Sequence, residues 1–286
     1  MTVAWTANLN RRKPMNTRTY LCTAVAAALA ASSGIAIADE HDEDEDEIEF
    51  DVAEVFFELN DTDGDLGFHA LIDGEPWKHL AIEDQNERRV LNVRVRGRLR
   101  RQGMTEIFFE SAEPPFDELA PAEFFNRFPE GTYEVEGWTL EGEELESETE
   151  ITHRMPAPPA PLVNGNPMAE QCEDEEPGYD APTVSTPVTI TWPAVMSTHP
   201  GLGYPQGSPD IAIYNYEVVV ETELEGPGGE EFTTVFSALV PPDVTEMTIP
   251  DEFLAQGDTF KYEVLAREES WNQTAVESCF EVDGDE

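Results

Sequence analysis

Residues 91–96 read Leu91-Asn92-Val93-Arg94-Val95-Arg96, apolar and polar side chains in strict alternation. Successive side chains of an extended strand point to opposite faces, so a period of two with one polar face predicts a half-buried β-strand. Segments that read as strands recur on both sides of it, at residues 50–59, 67–72, 78–82, 105–109, 132–140 and 145–152. They are punctuated by Asp63-Gly64, Asp73-Gly74, Glu130-Gly131 and Glu141-Gly142, whose glycines supply the positive φ that tight turns need. One stretch departs from the pattern. Residues 119–128 carry Pro121, tolerated in a first helical turn, then Phe124, Phe125 and Phe128 at helical spacing, which predicts a short helix packed on the sheet. Trp77 and Trp138 are large enough to anchor a core. Residues 48–154 therefore read as one β-rich domain.

Residues 155–167 (MPAPPAPLVNGNP) and the acidic stretch that follows, to residue 180, read as a linker stiffened by proline. Beyond it, residues 184–192 (VSTPVTITW) run into Pro193, residues 213–221 read IYNYEVVVE, and residues 260–266 read FKYEVLA, with residues 278–282 as a closing strand. This pattern resembles a fibronectin type III module, whose B strand ends in a buried Trp before a proline turn and whose C, F and G strands the later segments match. Two features differ from the family. Phe260 stands where it has a Tyr whose hydroxyl ties back to the main chain, and residues 197–208 make a longer connection between B and C. The resemblance covers residues 181–286 and implies a spacer or adhesion module; it carries no catalytic residue. The expected fold class is all-β: two β-sandwich-like domains, the first with a short helix and the second fibronectin type III-like.

The chain opens with Arg11, Arg12, Lys13 and Arg18, followed by an Ala-rich apolar run ending Ala36-Ile37-Ala38. A basic start, an apolar middle and a small-x-small end predict a secretory signal peptide over residues 1–38 and export to the periplasm or beyond. Residues 39–47 (DEHDEDEDE) follow as a like-charge tail with nothing to bury. Removing residues 1–38 takes away four basic residues and no acidic one, moving the net charge from −45 to −49. Such a surface repels nucleic acid and suits a salty medium, where charges more than about 8 Å apart are screened. No later stretch is long and apolar enough to span a bilayer. With Cys22 lost in the signal, Cys172 and Cys279 remain, and an even count in an exported chain predicts a disulfide.

Three places invite chemistry. Asp61, Asp63 and Asp65 alternate around Gly64 as in the first half of a calcium loop, where oxygens at positions 1, 3 and 5 converge on Ca²⁺. Leu66 and Ile72 stand where that loop has Gly and a bidentate Glu, so a full EF-hand is excluded, and a plain hairpin turn is the competing reading. Seven of the basic residues lie in one 14-residue stretch: Arg88, Arg89, Arg94, Arg96, Arg98, Arg100 and Arg101. If the strand continues through Gly97, Arg94, Arg96 and Arg98 share one face and offer planar forks to carboxylate, sulfate or phosphate. The partner would be an anionic polysaccharide or an acidic protein surface, against the plainer reading that these arginines pair with the chain's own surplus carboxylates. Trp271, at the expected turn before the last strand, is a candidate for stacking on a sugar ring. His69 and His79 would face each other across the turn at Asp73-Gly74.

No metalloprotease, nucleophile-elbow, phosphate-loop or dinucleotide signature occurs. The expected function is a non-enzymatic exported binding or structural protein, stabilised by Ca²⁺ if the aspartate loop holds it. The alternative is a hydrolase, or an accessory to one, acting on an extracellular polysaccharide through carboxylates the sequence does not locate.

Overall fold

The computed structural model describes residues 48–172 and 179–283; the signal peptide, Cys22 and the acidic tail lie outside them, as does part of the acidic stretch before residue 180. The first half comprises β1 (Val52–Asn60), β2 (Asp65–Glu83), β3 (Arg89–Arg94), a 3-10 turn at Leu99–Arg101, β4 (Met104–Glu110), α1 (Pro121–Arg127), β5 (Gly131–Thr139) and β6 (Glu144–Ile151). The second comprises β7 (Leu162–Val163), β8 (Thr183–Val184), β9 (Thr189–Thr191), β10 (Ile213–Glu225), β11 (Glu231–Val240), β12 (Glu246–Thr248), α2 (Asp251–Leu254), β13 (Thr259–Glu268) and β14 (Gln273–Val282). The protein is all-β, with two short α-helices among the described residues.

Strand β2 is the pivot of the first half. Asp73-Gly74 does not turn the chain; a single 19-residue strand passes through it, and the pairing slips between Asp73 and Trp77 and again between Trp77 and His79. Before the slips β2 lies between β1 and β4, and after them between β5 and β3. A strand that changes layers at an irregularity makes the corner of a sandwich without a loop. Phe57, Phe68, Trp77, Leu80, Tyr133 and Leu145 fill the space between. Helix α1 starts on Pro121, whose missing N–H costs nothing in the first turn, and sets Phe124 and Phe125 edge-on to Phe57 at 5.4 and 5.6 Å between ring centroids.

In the second half β11, β10, β13 and β14 form one layer and β12, β9 and β7 the other. Trp192, Tyr216, Phe260 and Phe280 are buried between them. Leu162–Val163, expected as linker, instead pairs with β9 and buries Val163, because two residues are enough to close the edge of a short sheet. Cys172 and Cys279 are joined, with Cα atoms 5.7 Å apart, which ties the segment before β8 to β14.

The two halves share a sheet. β14 runs parallel to β1, with Glu58, Leu59 and Asn60 opposite Gln273, Thr274 and Ala275. Asn272, fully buried just before that pairing, is its keystone. Its Oδ1 accepts from the Phe57 N–H at 2.8 Å, and its Nδ2 donates to the carbonyls of Thr152 at 2.8 Å and Arg154 at 3.1 Å. One side chain thus satisfies three main-chain groups, from β1 and from the stretch after β6, that would otherwise be buried without partners.

Candidate binding surface

Alternation along β3 turns Leu91 and Val93 to the core and Asn92 and Arg94 to solvent. The strand ends at Arg94. Gly97 adopts φ +65°, a left-handed conformation that ends extended pairing, and Arg98 opens the 3-10 turn. Arg98 is therefore not on the strand face with Arg94, contrary to the expectation of one continuous strand. It joins Arg100 and Arg101 on the turn, around Leu99, which is 55% exposed.

Arg94, Arg96, Arg98, Arg100 and Arg101 are all exposed. Arg89 is held by Glu83. Among the described residues none of Arg88, Arg94, Arg96, Arg98, Arg100 or Arg101 makes an ion pair; the other arginine pairs are Arg127 with Glu123 and Arg154 with Asp210. Among the described residues pairing with the chain's own carboxylates is thus absent for most of the island, and the acidic tail lies outside them.

Of the two tryptophans expected to anchor the core, only one does so. Trp77 is fully buried, but Trp138 is 39% exposed. Tyr133 and Val135 point inward from β5, so strict alternation sends Trp138 outward, a signal present in the sequence and outweighed there by the size of the ring. Trp138 pairs across the ladder with His79, and His79 with Arg94. Glu144, Trp138, His79 and Arg94 form one row across four strands, on one face. Trp271 lies elsewhere, in the β13–β14 turn at φ +74°, edge-on to Tyr214 at 4.9 Å. It lines a cleft of about 450 Å³ with Arg154 and the carboxyl-bearing Glu148, Glu150, Glu268 and Glu269. The structure does not bring Trp271 together with Arg94, Arg96 and Arg98.

The aspartate loop forms the β1–β2 turn. Asn60 Oδ1 accepts from the main-chain N–H groups of Thr62 and Asp63 at 3.0 and 3.2 Å, and Gly64 takes φ +69°. Asp61 is drawn to His199 Nε2 at 2.9 Å. Asp65 is pushed up to about 7 by burial, with Glu113, Asp63, Glu277 and Glu58 adding to it. Among the described residues no group of three or more His, Cys, Asp and Glu side chains is placed to hold a metal ion.

His69 and His79 do not face each other, because both lie on β2. His79 Nε2 meets Asn92 Oδ1 at 3.2 Å. His69 is buried, with Nε2 2.8 Å from Glu113 and Nδ1 3.8 Å from Glu58. Gly67 makes this possible, since a Cβ there would fall on the Glu113 carboxylate. Glu58 also accepts from Gln273, whose Oε1 accepts from Arg267 Nε at 2.8 Å. A polar chain thus crosses the seam from β13 to β2.

No family model matches this chain, and no curated protein matches it. Among solved structures, a tetra-tandem repeat from the extending region of a large adhesion protein is 12% identical, with 81% of this chain and 50% of that one covered and a TM-score of 0.24. A structure described for host cell surface retention of a 1.5-MDa bacterial ice-binding adhesin gives 12% identity, 82% and 65% coverage and a TM-score of 0.20. The BSP domain of a biofilm associated protein gives 11%, 82%, 30% and 0.22. The chain spans half the length of the first of these. Superpositions this loose carry neither a topology nor an activity over to it. Among the described residues no helix is long and apolar enough to cross a membrane.

Proposed function

We propose that this is an exported, non-enzymatic binding protein that docks an anionic polymer on the arginine face of its first half, with a fibronectin type III-like second half as spacer. One observation carries the docking role: in a chain of net charge −45, a cluster of exposed arginines has no carboxylate partner among the described residues. Exposed ion pairs cost little to form, and carboxylates are abundant, so an unpaired island is a surface kept open. The acidic remainder repels the same polymer and confines it to this face. The spacer role is supported by strand order. The segments matched to C, F and G are neighbours in one layer, as β10, β13 and β14, and the segment matched to B lies in the opposing layer as β9.

The test is binding of a polyanion to the purified chain at rising salt. Neutralising several charges should give affinity that falls steeply between about 50 and 200 mM salt. Arg94→Ala with Arg96→Ala should weaken it by about tenfold or more. Absence of polyanion binding, or binding indifferent to those arginines, would remove the proposal, and turnover of any member of a glycan and ester panel would replace it with the hydrolase reading.

A further inference from the structure

The row Glu144–Trp138–His79–Arg94 limits the kind of polymer that fits, and the inference rests on the docking role just proposed. Adjacent strands lie about 4.8 Å apart, so Trp138 and Arg94 stand about 10 Å apart on one face with His79 between them. The His79 imidazole is tethered to Asn92, which keeps the ground between the two ends low and polar. At one end is an aromatic ring with more than a third of its surface in water, and at the other a guanidinium with no ion-pair partner among the described residues. A large aromatic left 39% exposed on a strand otherwise patterned by charge forgoes part of the burial its ring could gain and costs solubility. It gains a purpose if another flat, weakly polar face lies against it.

We propose that Trp138 and Arg94, with Arg96 beyond, form a platform for an acidic polysaccharide: a sugar ring stacks on Trp138 and its carboxylate or sulfate substituent is taken by the arginines. The row also fixes direction. Glu144 lies across from Trp138 on the side away from Arg94, and Glu136 and Glu146 face each other in the next row. An acidic substituent is pushed off β5 and β6 and drawn towards β3, so the sugar sits with its neutral face on the indole and its charge over the arginines. Polyphosphate offers charge without a ring, and a neutral glucan offers rings without charge; neither satisfies both ends.

The experiment titrates the full chain with polygalacturonate, polyphosphate and dextran by calorimetry, for the native sequence and for W138A, W138F and R94A/R96A, each first shown to melt as the native protein does. Polygalacturonate should bind about tenfold or more tighter than polyphosphate or dextran, W138A should lose about tenfold, and W138F, which keeps a stacking face, only about threefold. If R94A/R96A abolishes binding while W138A leaves it unchanged, or if polyphosphate binds as well as polygalacturonate, the platform is refuted and arginine docking stands. If none of the polymers binds, both readings fall together.

Discussion

The seam between β1 and β14 and the outer face of β3, β2 and β5 treat polar side chains in opposite ways. At the seam buried polar groups find partners: Asn272 serves main-chain groups of two segments, Thr274 donates to the Pro156 carbonyl at 2.8 Å, and Glu58 is reached by Gln273. On the outer face Arg94 and Arg96 stand in water with no partner among the described residues. The difference follows from solvent. A buried group without a partner costs about 1–3 kcal/mol, so burial enforces pairing, whereas water satisfies an exposed group at no cost to the fold. Matched buried polarity therefore marks architecture, and unmatched exposed polarity is free for a ligand.

The sharpest way to break that contrast is Asn272→Ala. It strips the acceptor from the Phe57 N–H and the donors from two carbonyls in a site with no room for solvent, so we expect a loss of roughly 3–5 kcal/mol in urea unfolding. Asn272→Asp keeps the acceptor and should fall between. A loss under about 1 kcal/mol would mean that the parallel pairing holds the halves together without its keystone.

The next largest effect is a pH dependence in which the carboxylates buried at and near the seam take part. Burial raises Glu58, and it raises Glu263 well above its usual range, with Glu58, Glu277, Glu217 and Glu221 adding their charges. Burial alone would lower His69, but the hydrogen bond to Glu113 and the charge of Glu58 outweigh it and the imidazole is raised. Every one of these shifts has the same sign. The folded state binds its protons more readily than the unfolded chain, so the associated stability is full at low pH and is lost as pH rises through the folded values. For Asp65 the window runs from 3.8 to about 7. The melting temperature should therefore rise by several degrees from pH 8 to pH 5. Asp65→Asn should flatten that slope, and Glu231→Gln, which removes the same charge from an exposed strand, should not. A melting temperature that is level or falling over that range would show that the seam carboxylates are as well solvated as exposed ones.

The outer face was more legible in the sequence than the seam, and the reason is range. Alternation at residues 91–96 is local, and it correctly sent Arg94 outward. The same rule applied from Tyr133 and Val135 would have placed Trp138 in solvent, where residue size had argued for the core. Asp73-Gly74 carried a turn signal that tertiary pairing overrode, since β1 and β4 flank the strand right through Asp73. The seam has no local signature at all. Pairing of Glu58 with Gln273 joins positions more than two hundred residues apart, and Asn272 looks like any turn residue until Phe57 and Thr152 arrive beside it. The aspartate loop was read for its carboxylates, and what decided its geometry was Asn60 and the distant His199.

The smallest expected effect is the most discriminating. If Arg94 and Arg96 contribute nothing to the fold, replacing both with Ala should change stability by no more than about 0.5 kcal/mol, the usual range for exposed sites away from caps and cores. Self-repulsion in so acidic a chain predicts that any change is a slight loss at low salt, because two positive charges have been removed, and that it fades as salt rises. A loss of about 1 kcal/mol or more that survives high salt would mean that the arginines pair within the folded chain after all. That outcome would erase the contrast with the seam at its source: the island would then be one more matched set of charges, and the weakened polyanion binding of the same variant would have to be read as damage to the fold.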